Sequence, residues 1–200
     1  MRRNVLILSP VLTLVVILLT ARPAPDGPPA QVQDACWILG DRSNLDLRIS
    51  RLDSISTTLD GHMLKLCYSR PRALGRPIMG RLVPFGEPWR LGANEATALH
   101  TPTPLMVGDV RVAPGSYSLY VIPDSTEWRV AVNGTVRRWG IPISSNVRQA
   151  DLGVTVVLVE RLHEPVEVLT MRFDRAGPAV DLVIEWERTR IRLPIRLASS

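Results

Sequence analysis

The sequence predicts an all-β chain, an antiparallel β-sandwich preceded by an N-terminal hydrophobic helix. Three observations carry that reading. Apolar and polar residues alternate with period two through most of the 200-residue chain, which is the spacing of a strand with one buried face. Beyond residue 31 no stretch keeps helical spacing through three turns, a short helix around Ala35 to Leu39 excepted. A long aliphatic run, by contrast, opens the chain.

That opening run sets the expected compartment. Met1-Arg2-Arg3 is a basic start, and Val5 to Ala21 is 17 uncharged, mainly aliphatic residues closed by Arg22. These are the parts of an export signal, and the length falls between a cleaved signal and a transmembrane helix. Residues 1–22 are therefore read as a signal peptide or a signal anchor. Leu19-Thr20-Ala21 and Pro28-Pro29-Ala30 both make poor cleavage sites, which tips the balance slightly towards the anchor. No Cys lies just after the apolar run, so lipid attachment there is excluded. The expected location is extracytoplasmic, either periplasmic or membrane-anchored, with the membrane as partner through this segment. Residues 23–40 are a Pro-rich linker carrying the short helix, because Pro23 to Ala30 cannot continue a helix. Residues 41–200 form a single β-sandwich domain, long enough for a substantial core.

Within that domain Leu45, Leu47 and Ile49 alternate with Asp46, Arg48 and Ser50, and Met63 to Tyr68 reads as another strand. Trp128, Val130 and Val132 share one face, and Asn133-Gly134 follows at once as a hairpin signal, with Val136 resuming the apolar run. Leu152 to Leu162, Leu169 to Phe173, Val180 to Trp186 and Ile191 to Leu197 read as four further strands, the last two joined by a turn at Glu187 to Arg190. Consecutive strands with one apolar face argue for a meander packed on a second sheet.

Composition excludes several classes. The net charge is +5, and losing Arg2, Arg3, Arg22 and Asp26 with the first 30 residues leaves +3, spread widely. No nucleic-acid motif accompanies the arginines, so no nucleic-acid partner is expected. Two cysteines, Cys36 and Cys67, either form one disulfide in an oxidising compartment or leave Cys67 as a small buried residue in a strand. Without neighbouring histidines they make no zinc site, and neither metal nor cofactor is expected.

The stretch from Tyr68 to Thr97 is rich in Gly, Pro and Arg and poor in periodicity, an ordered loop region of the kind that carries binding residues. Its blocks Tyr68-Ser69-Arg70-Pro71, Gly75 to Gly80, Leu82 to Gly86 and Trp89 to Thr97, followed by Ala113 to Pro123 and Glu127 to Asn133, resemble the bacterial family of domain of unknown function 2911. The resemblance covers roughly residues 45 to 175. It implies an exported β-rich protein and brings no established activity. It also implies an apolar or aromatic residue near the position of His100, which argues against a shared active site there.

Asn94-Glu95 is the sharpest feature of the segment, since a carboxylate between Ala93 and Ala96 is costly to bury unless paired. Arg70, Arg76, Arg81 and Arg90 are its nearest candidate partners in sequence. Either Glu95 and one arginine form a structural pair that pins the loops, or Tyr68, Arg70, Trp89, Arg90, Asn94 and Glu95 line a pocket for a small polar or anionic ligand. Trp89 either stacks on the Arg90 guanidinium or lies over the core, and Trp89 and Trp139 are the candidate exposed planes for a sugar. The histidines His62, His100 and His163 lie far apart, and no nucleophile-base signature is present. The expected function is thus a ligand- or protein-binding module using residues 68–97. The alternative is a hydrolase-type enzyme with Glu95 as general base and Asn94 as oxyanion donor.

Overall fold

The computed structural model describes residues 36–199. After a 3₁₀ turn at Arg42–Leu47, nine strands follow: β1 Arg51–Leu59, β2 His62–Arg70, β3 Thr97–Thr101, β4 Leu105–Val107, β5 Val110–Val112, β6 Gly115–Pro123, β7 Glu127–Asn133, β8 Asp151–Ala176 and β9 Ala179–Leu197. One helical turn, α1 Ser145–Arg148, lies between β7 and β8. The strands make one nine-stranded antiparallel sheet in the order β1-β2-β3-β6-β7-β8-β9-β4-β5.

The chain is all-β and antiparallel, as its alternation predicts. The two expected sheets, however, are one continuous ladder. β8 pairs with β7 through Asp151–Leu158, then with β9 from Val159 to Ala176. Its register against β9 shifts between Arg161 and Val166 and again between Val166 and Thr170. There β9 places Glu187 at φ +53°, an uncommon conformation for a residue with a Cβ. The two halves of the ladder close on a single core that takes Leu66, Leu119 and Val130 from one half and Leu169, Leu182 and Leu193 from the other. Beyond the end of β2, Pro71 to Ala73 hydrogen-bonds to Glu167 and Leu169 of β8 and closes one side.

Several sequence expectations are corrected. The segment Leu45 to Ile49 is no strand: it is the 3₁₀ turn and its extended exit, and its polarity is inverted, with Leu47 81% and Ile49 88% exposed while Arg48 turns inward. Residues 36–39 are not helical. Asn133-Gly134 does not turn a hairpin, because residues 134–150 form a long connection before β8. The four C-terminal strands are two long ones, with no turn at Glu187 to Arg190. A two-residue hairpin lies instead at Asp60-Gly61, both at positive φ, between β1 and β2. Positive φ at both positions disfavours most residues there, whereas Asp-Gly accommodates it. The hydrophobic helix expected at the start lies outside the described residues. Among the described residues no helix is long and apolar enough to cross a membrane.

Cys36 and Cys67 are joined in a disulfide, with Cα atoms 5.7 Å apart. The bond packs with Ala98, Leu52 and Val136 on the outer face of β2 and β3, so the folded body takes in residues ahead of 41. It closes a loop across a sequence separation of 31 residues. Loop-closure entropy for that length is worth about 3–4 kcal/mol. Chemical denaturation of the Cys36→Ser/Cys67→Ala variant should show a loss of about that size; an unchanged midpoint would mean the 3₁₀ segment is held by its other contacts alone.

Candidate functional site

The irregular segment 71–96 is held by backbone and side-chain bonds to its neighbours. Leu91, Gly92 and Asn94 all have positive φ, wrapping the chain around Ser69. The Asn94 amide donates to the Ser50 carbonyl at 2.9 Å and to the Ser69 hydroxyl at 3.3 Å, and Thr97 donates to the Leu91 carbonyl at 2.7 Å. The 134–150 connection packs onto the same knot. Gly140 donates to the Asn94 carbonyl, and a Cβ there would lie 2.4 Å from Arg90 Cδ, so only glycine allows this approach.

Glu95 is at the centre of the knot and 4% exposed. Its carboxylate accepts two hydrogen bonds from Arg48, Nη1 to Oε2 at 2.7 Å and Nη2 to Oε1 at 2.9 Å, and a third from the Leu39 N–H at 3.0 Å. Burial by itself would raise the Glu95 pKa, but the Arg48 and Leu39 bonds outweigh it and hold the carboxyl below its ordinary value. A carboxylate tied in this way is a structural anchor and a weak proton acceptor. Its partner is none of the four arginines nearest in sequence.

The other expected site residues do not converge on Glu95 around a ligand-sized space. Beside it lies a cavity of about 10 Å³, lined in part by Trp37, Cys67, Tyr68 and Ser69, which is room for a single water. The Tyr68 ring is buried, its pKa raised by that burial, and its hydroxyl accepts from the Met171 N–H at 3.0 Å. Trp89 does not stack on Arg90. It lies over the core, stacked on Trp186 at 5.6 Å and edge-on to Trp128 at 6.0 Å. Arg90 is half-buried, its Nε donating to the Gly92 carbonyl at 3.3 Å, and burial lowers its pKa. Of the two candidate sugar platforms, Trp139 alone is exposed, at 39%.

Arg70 belongs to a different feature. It lines a cleft of about 450 Å³ with Arg48, Arg51 and Arg72, and with Asp46, Ile49 and Val168. Asp46 is the one carboxylate in that wall. Arg70 donates to Asp53 at 3.1 Å, to Thr170 at 3.1 Å and to the Leu169 carbonyl at 3.2 Å. Arg72 lies 3.5 Å from Glu167, both largely exposed. The Arg51 side chain has no hydrogen-bond or ionic partner among the described residues. Sequence reasoning missed Arg48, Arg51 and Arg72 here. The available signal was the crowding of arginines along residues 48–76, and the pairing of β1 with β2 aligns two of them, Arg51 with Arg70.

A second polar cluster also escaped notice. The Tyr120 hydroxyl donates to Asp151 at 2.6 Å, and Asn133 donates to Asp151 at 2.7 Å and to the Val147 carbonyl at 2.6 Å. Burial, then the Asp151 carboxylate, pushes the Tyr120 pKa up to about 12. This cluster fastens the 134–150 connection to the sheet. Among the described residues no three His, Cys, Asp or Glu side chains group as a metal would require.

Removing one partner of the Arg48–Glu95 pair leaves the other charge buried. Glu95→Gln should cost about 2–3 kcal/mol and Arg48→Met about 3–4, with the double variant losing less than their sum. Because the folded Glu95 pKa lies below the ordinary 4.5, this stabilisation is complete above that value and is lost as pH falls through the folded value. Thermal melts from pH 7 down to 3 check this: wild type should lose its excess stability over Glu95→Gln at acid pH.

No curated protein and no solved structure matches the chain. The model of the family described as protein of unknown function (DUF2911) matches residues 50–195, from the first strand to near the end of the last. The chain belongs to that family.

Proposed function

We propose that this is an exported or membrane-tethered binding module that takes a small anionic ligand in the cleft between the 46–51 segment and the end of β2. The observation that carries the reading is the wall of four guanidinium-bearing side chains around one open cleft, with a single carboxylate among them. Arg48 is committed to Glu95 and Arg70 largely to Asp53, which fixes their positions. Arg51, unpartnered, and Arg72, only loosely paired, supply the free donors. Arginine recognises carboxylate and phosphate through paired, planar N–H donors. The volume falls within the range of small-molecule sites.

Export belongs to the same reading. The basic start and the apolar Val5 to Ala21 support it, as does the disulfide, a bond that persists in oxidising compartments. A hydrolase using Glu95 as base finds no support, because both carboxylate oxygens are engaged and the adjacent cavity admits a water at most.

A thermal-shift screen of the detergent-solubilised full chain against phosphate, sulfate, small carboxylates and sugar acids tests the reading. At least one anion should raise the melting temperature, with the effect reduced in Arg51→Glu and in Arg72→Glu. An undiminished shift in both variants, or none with any anion, would refute it.

A further inference from the structure

The Arg48–Glu95 pair has an effect on the opposite side of its own segment. Arg48 leaves the 3₁₀ turn in extended conformation, φ −72° and ψ 132°. Consecutive side chains of extended backbone point to opposite sides. Drawing Arg48 inward to Glu95 therefore turns Leu47 and Ile49 outward, 81% and 88% exposed. Two aliphatic side chains thus project from the surface, and Ile49 forms part of the wall of the arginine cleft.

We propose that this face docks on an anionic lipid surface, Leu47 and Ile49 entering the interface while Arg51 and Arg72 meet the headgroup phosphates. The proposal rests on the anion-binding reading of the cleft and narrows it to a membrane-held phosphate. Aliphatic side chains set among basic ones are the combination that holds peripheral segments at an acidic bilayer. The chain itself supplies the second argument. The described structure starts at Cys36, disulfide-bonded to β2, and the exposed pair follows 11 and 13 residues later. Between Ala21, the end of the apolar run, and Cys36 lie 14 residues, which span at most about 50 Å. On the tethered form of that reading, with Val5 to Ala21 kept as the anchor, a domain on so short a lead stays within reach of the bilayer.

The test is hydrogen exchange of the backbone amides of residues 42–51, using the full chain reconstituted in nanodiscs. One set holds phosphatidylcholine alone, the other contains about one-third phosphatidylglycerol. Docking predicts exchange at least tenfold slower in the anionic discs. That difference should vanish in Leu47→Ser/Ile49→Ser and in Arg51→Glu, whose substituted side chains are exposed. It should persist in Val154→Ser/Val156→Ser, on an exposed apolar row of β8. Equal exchange in both lipids would overturn the proposal, and so would protection that follows the β8 variant. Inorganic phosphate added to the detergent-solubilised chain separates the two readings. Stabilisation by phosphate without lipid-dependent protection removes docking and leaves the anion cleft; neither effect removes both.

Discussion

The fold depends on β8 serving two halves of one ladder. A strand that changes partner must keep its inward residues inward across the change, or every later side chain flips to the other face. β8 meets that constraint: Thr155 and Val157 before the switch and Leu169 and Met171 after it are all buried, all at odd positions. The two register shifts therefore bend the ladder without inverting it. On the even positions the environments differ. Leu152, Val154, Val156 and Leu158 are exposed aliphatics, whereas Arg172 and Asp174 join an ion-pair network with Glu185 and Arg192.

With the two halves joined through β8, the space above β2 and β3 is left to irregular chain. Three segments meet there: the lead-in from Cys36 to Ser50, the 90–96 knot and the 134–150 connection. Each is attached by polar groups whose partners are far away in sequence, as with Arg48 and Glu95, Asn94 and Ser50, and Tyr120 and Asp151. Buried pairs of this kind add little net stability over well-packed apolar groups, but breaking one is expensive. Their effect is to select one arrangement of loops that have little periodic pattern to guide them.

Much of the fold was legible because it is local. Period-two alternation marks β2, β7 and most of β8 and β9 correctly, and the irregular middle was recognisable by its Gly, Pro and Arg content. The errors have distinct physical causes. Asn133 looks like a turn residue, but its side chain is fully buried and bonds to Asp151, Val147 and Thr135. It is present for its amide rather than its backbone freedom. The two long strands looked like four because Pro165 and the charged stretch around Glu187 imitate turns, while bulges let the ladder run on. At the site, Glu95 was recognisable as a carboxylate in need of a partner. Arg48 was not recognisable as that partner, being 47 residues away and in a segment whose alternation pointed it to solvent. The cleft depends on the same unreadable contact.

The disulfide also determines how the domain carries load. Tension applied to the chain ahead of Cys36 does not reach the 3₁₀ turn or peel β1 from the sheet margin. It passes through the sulfur bridge to Cys67, inside β2, which is paired on both sides by β1 and β3. A pull at that point acts on a strand held by two ladders, so the hydrogen bonds on both sides resist it. The lead-in from Cys36 to Ser50, with the arginine that positions the cleft, then lies outside the path of the force.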